Sequence, residues 1–188
     1  MADSAGKRAV KTEGGDLSGG ESAGRAGAGA ESRRPSPRML ARKSARLGAV
    51  QALYQMDVGG APLSDVLAEF ASRRIGERFE EGECGQPDLA LLEDIVRGVV
   101  REQVAIDRAV NRHLVEGWKL PRLDATVRAI LRAGGYELMF REDIPPRVTI
   151  SEYVDVARAF FDDGDEPRFV NGVLDALARE KRADELHV

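Results

Sequence analysis

One stretch of this sequence, DATVRAILRAGGYELMF at residues 124–140, is an amphipathic helix that restricts how the rest of the chain can fold. Gly134 and Gly135 lie inside it, although each glycine costs a helix about 1 kcal/mol relative to alanine. The pair predicts a crossing at which the backbone of a second helix comes very close, or a ligand that approaches there. The apolar positions fall at helical spacing and form one stripe: Val127, Ile130, Leu131, Gly134 and Leu138. Other helices are therefore expected to pack around this one.

The polar residues of this helix predict how it begins and what its other side does. Asp124 is placed to cap the amino end, because its carboxylate can accept hydrogen bonds from the first free backbone N–H groups. Arg128 and Arg132 are one turn apart and are expected to point away from the apolar stripe, into solvent or toward a partner.

The composition favours helices throughout the chain. Hydrophobic residues make up 43% of the 188 residues, charged residues 32% and aromatic residues 5%. Strands are enriched in runs of β-branched and aromatic residues, and no such run occurs. We therefore predict an all-α fold.

Several classes of site are not expected. The single cysteine, Cys84, excludes an internal disulfide framework and suits a reducing compartment, and its acidic neighbours make a reactive thiol improbable. His113 and His187 lie far apart without a cluster of further ligands, so neither a metal site nor a cofactor is predicted. No apolar run approaches the roughly 18 residues that span a bilayer. We expect a cytoplasmic protein with no membrane contact.

The amino-terminal part differs from the rest in composition and charge. Residues 1–37 are rich in Gly, Ser and Ala and are predicted to be a disordered tail. Residues 1–46 contain ten Lys and Arg against five Asp and Glu, a balance of +5. The remaining residues contain 18 against 27, a balance of −9, so the net charge of −4 hides a strong asymmetry.

Six helices are expected along the chain. The sole tryptophan, Trp118, is expected to seal the junction between two halves, and His113 to cap or pack near the end of the third helix. Thr149 to Glu152 has the spacing of a capping box for the fifth helix. Pro167 suits the first turn of the last helix. The other expected limits are Met39–Val58 for the first helix, Leu63 for the start of the second, and Pro87 to about Val115 for the third.

A window from Ser32 to Met56 contains no acidic residue, yet it contains six cations: Arg33, Arg34, Arg38, Arg42, Lys43 and Arg46. On a helical wheel the last three lie along the edge of an apolar face that includes Tyr54. Such a run can be a solvated face that solubilises a helix. The absence of acids favours binding of a polyanion, because clustered cations gain by displacing counterions from phosphates.

Four segments in order resemble one protein family. They are ARKSARLGAVQALYQMDV, LRAGGYELMF, IPPRVTISEYVDVARAFF and RFVNGVLDALAR, and together they cover about residues 39–181. The combination closely resembles the NusB family of bacterial transcription antitermination factors. The resemblance implies two small helical bundles packed side by side, here residues 38–116 and 117–188 as two halves of one domain.

The resemblance also implies a function without catalysis. Members bind RNA together with NusE, a small-subunit ribosomal protein, on the boxA element of nascent ribosomal RNA, and help the transcription elongation complex to pass terminators. Asp165 lies where members have an acidic residue in a loop that influences affinity. The positions that match the RNA contacts of the family are Arg42, Lys43, Arg46, Gln51, Tyr54, Arg168, Phe169 and Asn171.

Two other kinds of function are compatible with the residues. NusB-like helical domains also resemble the amino-terminal part of certain ribosomal RNA cytosine methyltransferases, but this sequence has no strand, Gly-rich loop and helix unit for a cofactor. The second alternative function is that of a non-catalytic helical interaction module whose basic helix merely solubilises it. For Tyr54 and Phe169, stacking on an unpaired base and packing in the core are both open.

Overall fold

The computed structural model describes residues 36–76, 86–162 and 164–186. These residues form six α-helices and two short 3₁₀ turns without any strand, which confirms the all-α prediction. Residues 1–35 of the predicted disordered tail lie outside the described residues, and so does Cys84. The helices are α1 (Pro37–Gly59), α2 (Leu63–Gly76), α3 (Leu89–Asn111), α4 (Ala125–Phe140), α5 (Pro146–Phe161) and α6 (Glu166–Lys181), and the turns are Leu120–Arg122 and Ala183–Glu185.

Short polar side chains fix the starts of three helices. Ser36 Oγ accepts a hydrogen bond from the backbone N–H of Met39 at 3.3 Å. Asp88 caps α3 in the same way, 3.1 Å from the Leu91 nitrogen. The predicted Asp124 cap is confirmed, because its carboxylate lies 2.8 Å from the Thr126 nitrogen and 3.2 Å from that of Val127. These caps satisfy donors that a helix leaves free at its amino end.

Two predicted helix limits are wrong. Helix α3 ends at Asn111 and not near Val115. The Asn111 side chain accepts a hydrogen bond of 2.8 Å from the Leu120 nitrogen and so helps to turn the chain toward α4. Helix α5 begins at Pro146, since proline fits a first helical position where no N–H is needed. Thr149 is consequently buried inside α5 and forms no capping box.

Helix α4 lies at the centre and contacts α1, α3, α5 and α6. A Cβ added to Gly134 would lie 2.9 Å from Leu174 on α6, and one added to Gly135 would lie 3.0 Å from Ile106 on α3. Two helices pack against the glycines as predicted, but side chains, and not the backbone of a second helix, fill the space that the glycines leave. The division into residues 38–116 and 117–188 stays a prediction, and helices from both ranges contribute to one hydrophobic core.

The two arginines of α4 do not point into solvent. Arg132 donates two hydrogen bonds of 2.8 Å to the carboxylate of Asp107 on α3. Arg128 binds Asp57 on α1, with Arg128 Nε 2.7 Å from the Asp57 carboxylate. The side chains of Arg128 and Arg132 are only 14% and 11% exposed, respectively. The partner toward which they point is therefore the protein's own α1 and α3.

Candidate nucleic-acid interface

The basic cluster at the start of α1 does not form one uniform surface. Lys43 is 48% exposed, and its Nζ lies 2.9 Å from the carboxylate of Asp155 on α5. Arg42 is half-buried and lines a groove of about 220 Å³ beside Asp143. The pKa of Asp143 is lowered by Arg141, which hydrogen bonds to it, and to a smaller extent by the charge of Arg42. Arg42 and Lys43 are both accessible to a polyanion.

Arg46 is buried, which corrects the expectation that it contacts RNA from the edge of the apolar face. Its side chain is 3% exposed and donates two hydrogen bonds of 2.9 Å to Glu137 in the middle of α4. A third bond, of 3.3 Å, reaches Glu152. A carboxylate buried at Glu137 requires a positive partner, so the guanidinium is enclosed where no phosphate reaches it.

The hydrogen bonds around Glu137 join Arg46 and Tyr153 in one buried network. Tyr153 donates to Glu137 at 2.9 Å. Burial lowers the pKa of the Arg46 guanidinium, but the hydrogen bonds and charge of Glu137 raise it by more, so the net pKa is above its usual value. Burial and the nearby negative charge of Glu137 hold the pKa of Tyr153 well above its usual range. The network ties α1, α4 and α5 together behind the exposed surface.

Asp155 links the basic end of α1 to a cation on α5. Its second carboxylate oxygen accepts a hydrogen bond of 3.0 Å from Arg158, which is 64% exposed. Lys43, Asp155 and Arg158 thus form one continuous row across two helices. Because all three lie at the surface, this row can extend the basic surface of α1 onto α5.

Gln51 and Tyr54 lie further along α1 and face a groove of about 450 Å³. Phe160 of α5 lines the same groove, and the Tyr54 and Phe160 side chains are each 39% exposed. Two aromatic side chains are therefore accessible at one site. Phe160 was not among the residues predicted from the sequence. Phe161, its neighbour, packs against the core, and because adjacent helical residues point in different directions, Phe160 faces outward.

The candidate residues at the start of α6 separate into two groups. Arg168 and Asn171 line a groove of about 510 Å³ together with Arg158 of α5. Arg168 is 89% exposed and lies 3.7 Å from Asp165, which is fully exposed in the preceding loop. The structure therefore brings Arg168 and Asn171 to the row of charges on α5.

Phe169 lies on another side of α6. Its ring packs on Trp118, with ring centroids 5.9 Å apart and planes inclined by 44°. Trp118 is 55% exposed, so the expectation that it seals the junction between the halves is wrong. The fully buried Leu120 fills the core there. Trp118 is the exposed member of this aromatic pair, whereas Phe169 is half-buried and also packs against the hydrophobic core. The pair is separate from the groove of Asn171.

The described ranges place no group of three or more His, Cys, Asp and Glu side chains where it could hold a metal ion. Among the helices of these ranges, none combines the length and the apolar character needed to cross a membrane.

The chain is similar to proteins of one family. A model of the NusB family matches residues 43–179. The transcription antitermination protein NusB of Rhodopseudomonas palustris (strain BisB18) is 53% identical over 144 residues, covering 77% of this chain and 85% of that protein. The structure of T. maritima NusB has a TM-score of 0.63 and 30% identity, covering 78% of this chain and 97% of the other.

A second structural neighbour is a crystal structure of the antitermination factors NusB and NusE in complex with dsRNA. The matched chain of that crystal structure has a TM-score of 0.61 and is 26% identical in sequence to the present chain. The match covers 73% of the present chain and 96% of the matched chain.

Proposed function

Because this chain belongs to the NusB family of transcription antitermination proteins, we propose that it binds RNA together with NusE and acts on the boxA element of ribosomal RNA transcripts. The observation that carries the proposal is its similarity, over 96% of the matched chain, to a protein crystallised with NusE and dsRNA. In this role it joins the transcription elongation complex as a binding protein without catalysis. The relatives are antitermination proteins, which favours this function over that of a methyltransferase domain.

The surface that takes the RNA is formed by α1, α5 and the start of α6. Arg42 and Lys43 contact backbone phosphates, since both are accessible at the end of α1. Tyr54 and Phe160 offer aromatic faces to an unpaired base in the groove that Gln51 lines. Arg46 supports this surface from behind through its bonds to Glu137.

The start of α6 extends the contact. Arg168 and Asn171 lie in the groove beside Arg158 and bind the backbone or a base edge. Phe169 stacks from the separate aromatic pair with Trp118. Asp165 is a neighbour of Arg168 and modulates affinity by competing with phosphate for its charge.

The charge distribution favours a basic protein partner. Residues 47–188 carry a balance of −9, and complementary charge steers association with a basic ribosomal protein. RNA that binds both proteins is held at linked sites, so each protein raises the RNA affinity of the other by the same factor. NusE is expected to tighten RNA binding by at least about tenfold, or about 1.4 kcal/mol.

The test is a titration of boxA RNA with the full chain, with and without NusE, at two salt concentrations. The Arg42→Ala and Lys43→Ala double variant should lower the slope of log affinity against log salt by at most about 1.4, which is about 0.7 for each lost contact on a single strand, because Asp155 already neutralises part of the Lys43 charge. Arg97 and Arg108 are exposed on α3, so their double alanine variant is the matched control and should keep the wild-type slope.

Three results would contradict the proposal. Equal dissociation constants with and without NusE would remove the paired mechanism. A slope that the Arg42 and Lys43 variant leaves unchanged would remove these residues from the RNA contact. Absence of RNA binding at both salt concentrations would instead support a non-catalytic helical interaction module.

A further inference from the structure

A groove of about 720 Å³ runs between α5 and α6 and ends at the Ala183–Glu185 turn. Ile150, Val154 and Leu186 give it an apolar floor. Three arginines line its rim: Arg147, Arg158 and Arg179. The groove thus combines apolar surface with several guanidinium groups, which suits a ligand that has both planar apolar faces and anionic groups.

The groove is positive on a part of the chain that is otherwise negative. Its lining includes three arginines and one carboxylate, Asp175, a balance of +2. Residues 47–188 as a whole have a balance of −9. Arg158 and Arg179 are ion-paired with Asp155 and Asp175, at 3.0 and 2.9 Å, but 64% and 72% of their side chains are exposed, so an anion in the groove can reach them. Positive charge is therefore concentrated in this groove, although residues 47–188 as a whole are negative. This concentration indicates an anionic ligand.

The groove is continuous with the proposed RNA surface. Arg158 and Asn171 also line the adjoining groove that contains Arg168. Arg158 is joined to Lys43 of α1 through Asp155. Arg147 and Arg158 lie eleven residues apart on α5, and at about 1.5 Å per residue this separates their backbones by about 17 Å. A strand that leaves the basic end of α1 could therefore follow α5 along the groove.

We propose that this groove is a second RNA-contact site, in which Arg147, Arg158 and Arg179 bind phosphates of the transcript beyond the segment held by α1. The inference rests on the proposed function. Guanidinium groups bind phosphate oxygens through paired hydrogen bonds. The apolar floor accepts the faces of unpaired bases or riboses. RNA is favoured over an acidic peptide because the groove continues from the basic row that starts on α1.

The experiment compares two RNAs with the full chain: the boxA element alone, and the same element extended by unpaired nucleotides on both sides. The extended RNA should bind the wild type more tightly and with a steeper salt dependence. The Arg147→Ala and Arg179→Ala double variant should lose this gain, with the slope for the extended RNA falling by at most about 1.4, because Asp175 already pairs with Arg179. Binding of the short RNA should stay unchanged.

Two further variants keep the result interpretable. Arg147 also donates a hydrogen bond to the Leu186 carbonyl, so Arg179→Glu alone tests the groove without disturbing that contact. It should weaken the extended complex more than the short one. The Arg97→Ala and Arg108→Ala control should bind both RNAs like the wild type.

The possible outcomes separate the two proposals. If the wild type binds the short RNA, and the groove variants bind the extended RNA as tightly as the wild type does, the second site is overturned while the proposed function stands. If neither RNA binds the wild type, the proposed function fails. A poly-glutamate peptide that binds the wild type but not the groove variants, with no effect of RNA extension, would identify an acidic protein segment as the occupant and overturn the RNA assignment.

Discussion

Arg46 carries a positive charge into the interior, where Glu137 and Glu152 neutralise it. We predict that Arg46→Met lowers the free energy of unfolding by about 3–5 kcal/mol, because Glu137 would be left buried without a partner. Urea unfolding followed by circular dichroism measures the change. The Arg46→Met and Glu137→Met double variant should recover part of the loss. If the single variant unfolds at the same urea concentration as the wild type, the buried pair does not stabilise the fold.

Gly98 is a second residue on which the packing depends, because a Cβ there would lie 2.1 Å from the ring of Tyr136 on α4. Gly98→Ala is expected to destabilise the protein by about 1–3 kcal/mol through overpacking. Gly172 of α6 is the matched control, since no atom lies within 4 Å of its added Cβ. Gly172→Ala should stabilise by about 0.4–1 kcal/mol. Similar melting temperatures for the two variants would contradict this account.

At the scale of helices, the end of α3 is held to α6 by one carboxylate. Glu180 lies 2.6 Å from Arg112 and 2.8 Å from His113. Hydrogen bonds from Arg112, then Lys181 and His113, lower the pKa of Glu180 from 4.5 to about 2. His113 thus links the end of α3 to α6 through a hydrogen bond to Glu180, whereas a role as a cap or packing residue was predicted. A lowered pKa means that this contact stabilises the fold above about pH 4.5 and is lost as the pH falls toward 2.

Glu180→Gln tests this link between α3 and α6. At pH 7 the variant should be less stable than the wild type by about 1 kcal/mol or less, because the side chain is partly exposed and screened. The difference should shrink as the pH is lowered from 4.5 to 2, where wild-type Glu180 becomes protonated. Thermal unfolding at a series of pH values measures it. A difference that is constant over this range would rule out titration of Glu180 as the cause.

The helices themselves could be predicted largely from local signals, whereas their mutual contacts could not. The Asp124 cap and the apolar stripe of α4 depend on neighbouring residues in the chain, and both are present. The start of α5 was misplaced because Thr149 and Pro146 both offer a helix start, and the choice depends on packing of Thr149 in the core. The bonds of Arg132 to Asp107 join separate helices, which no local spacing reveals.

At the scale of the whole molecule, the sequence predicted the basic surface but not its limits. Lys43 and Arg46 lie one turn apart at the edge of the same face, yet one is exposed and the other is enclosed by carboxylates. The difference arises from Glu137, on a helix about 90 residues later in the chain. In the sequence, the only signal for the pairing of Arg46 with Glu137 was that the Glu137 carboxylate lies next to the apolar stripe of α4. Likewise, Phe160 joins Tyr54 only through the packing of α5 on α1.

The position of Asp155 between Lys43 and Arg158 makes it a built-in competitor for both cations. A phosphate that binds there must displace a carboxylate already attached to the protein, so those two contacts release fewer salt ions than their number suggests. Under the proposed function, Asp155 therefore lowers the RNA affinity of these two cations. Asp155→Asn should therefore bind RNA more tightly and with a steeper salt slope than the wild type, as titrations at two salt concentrations would measure.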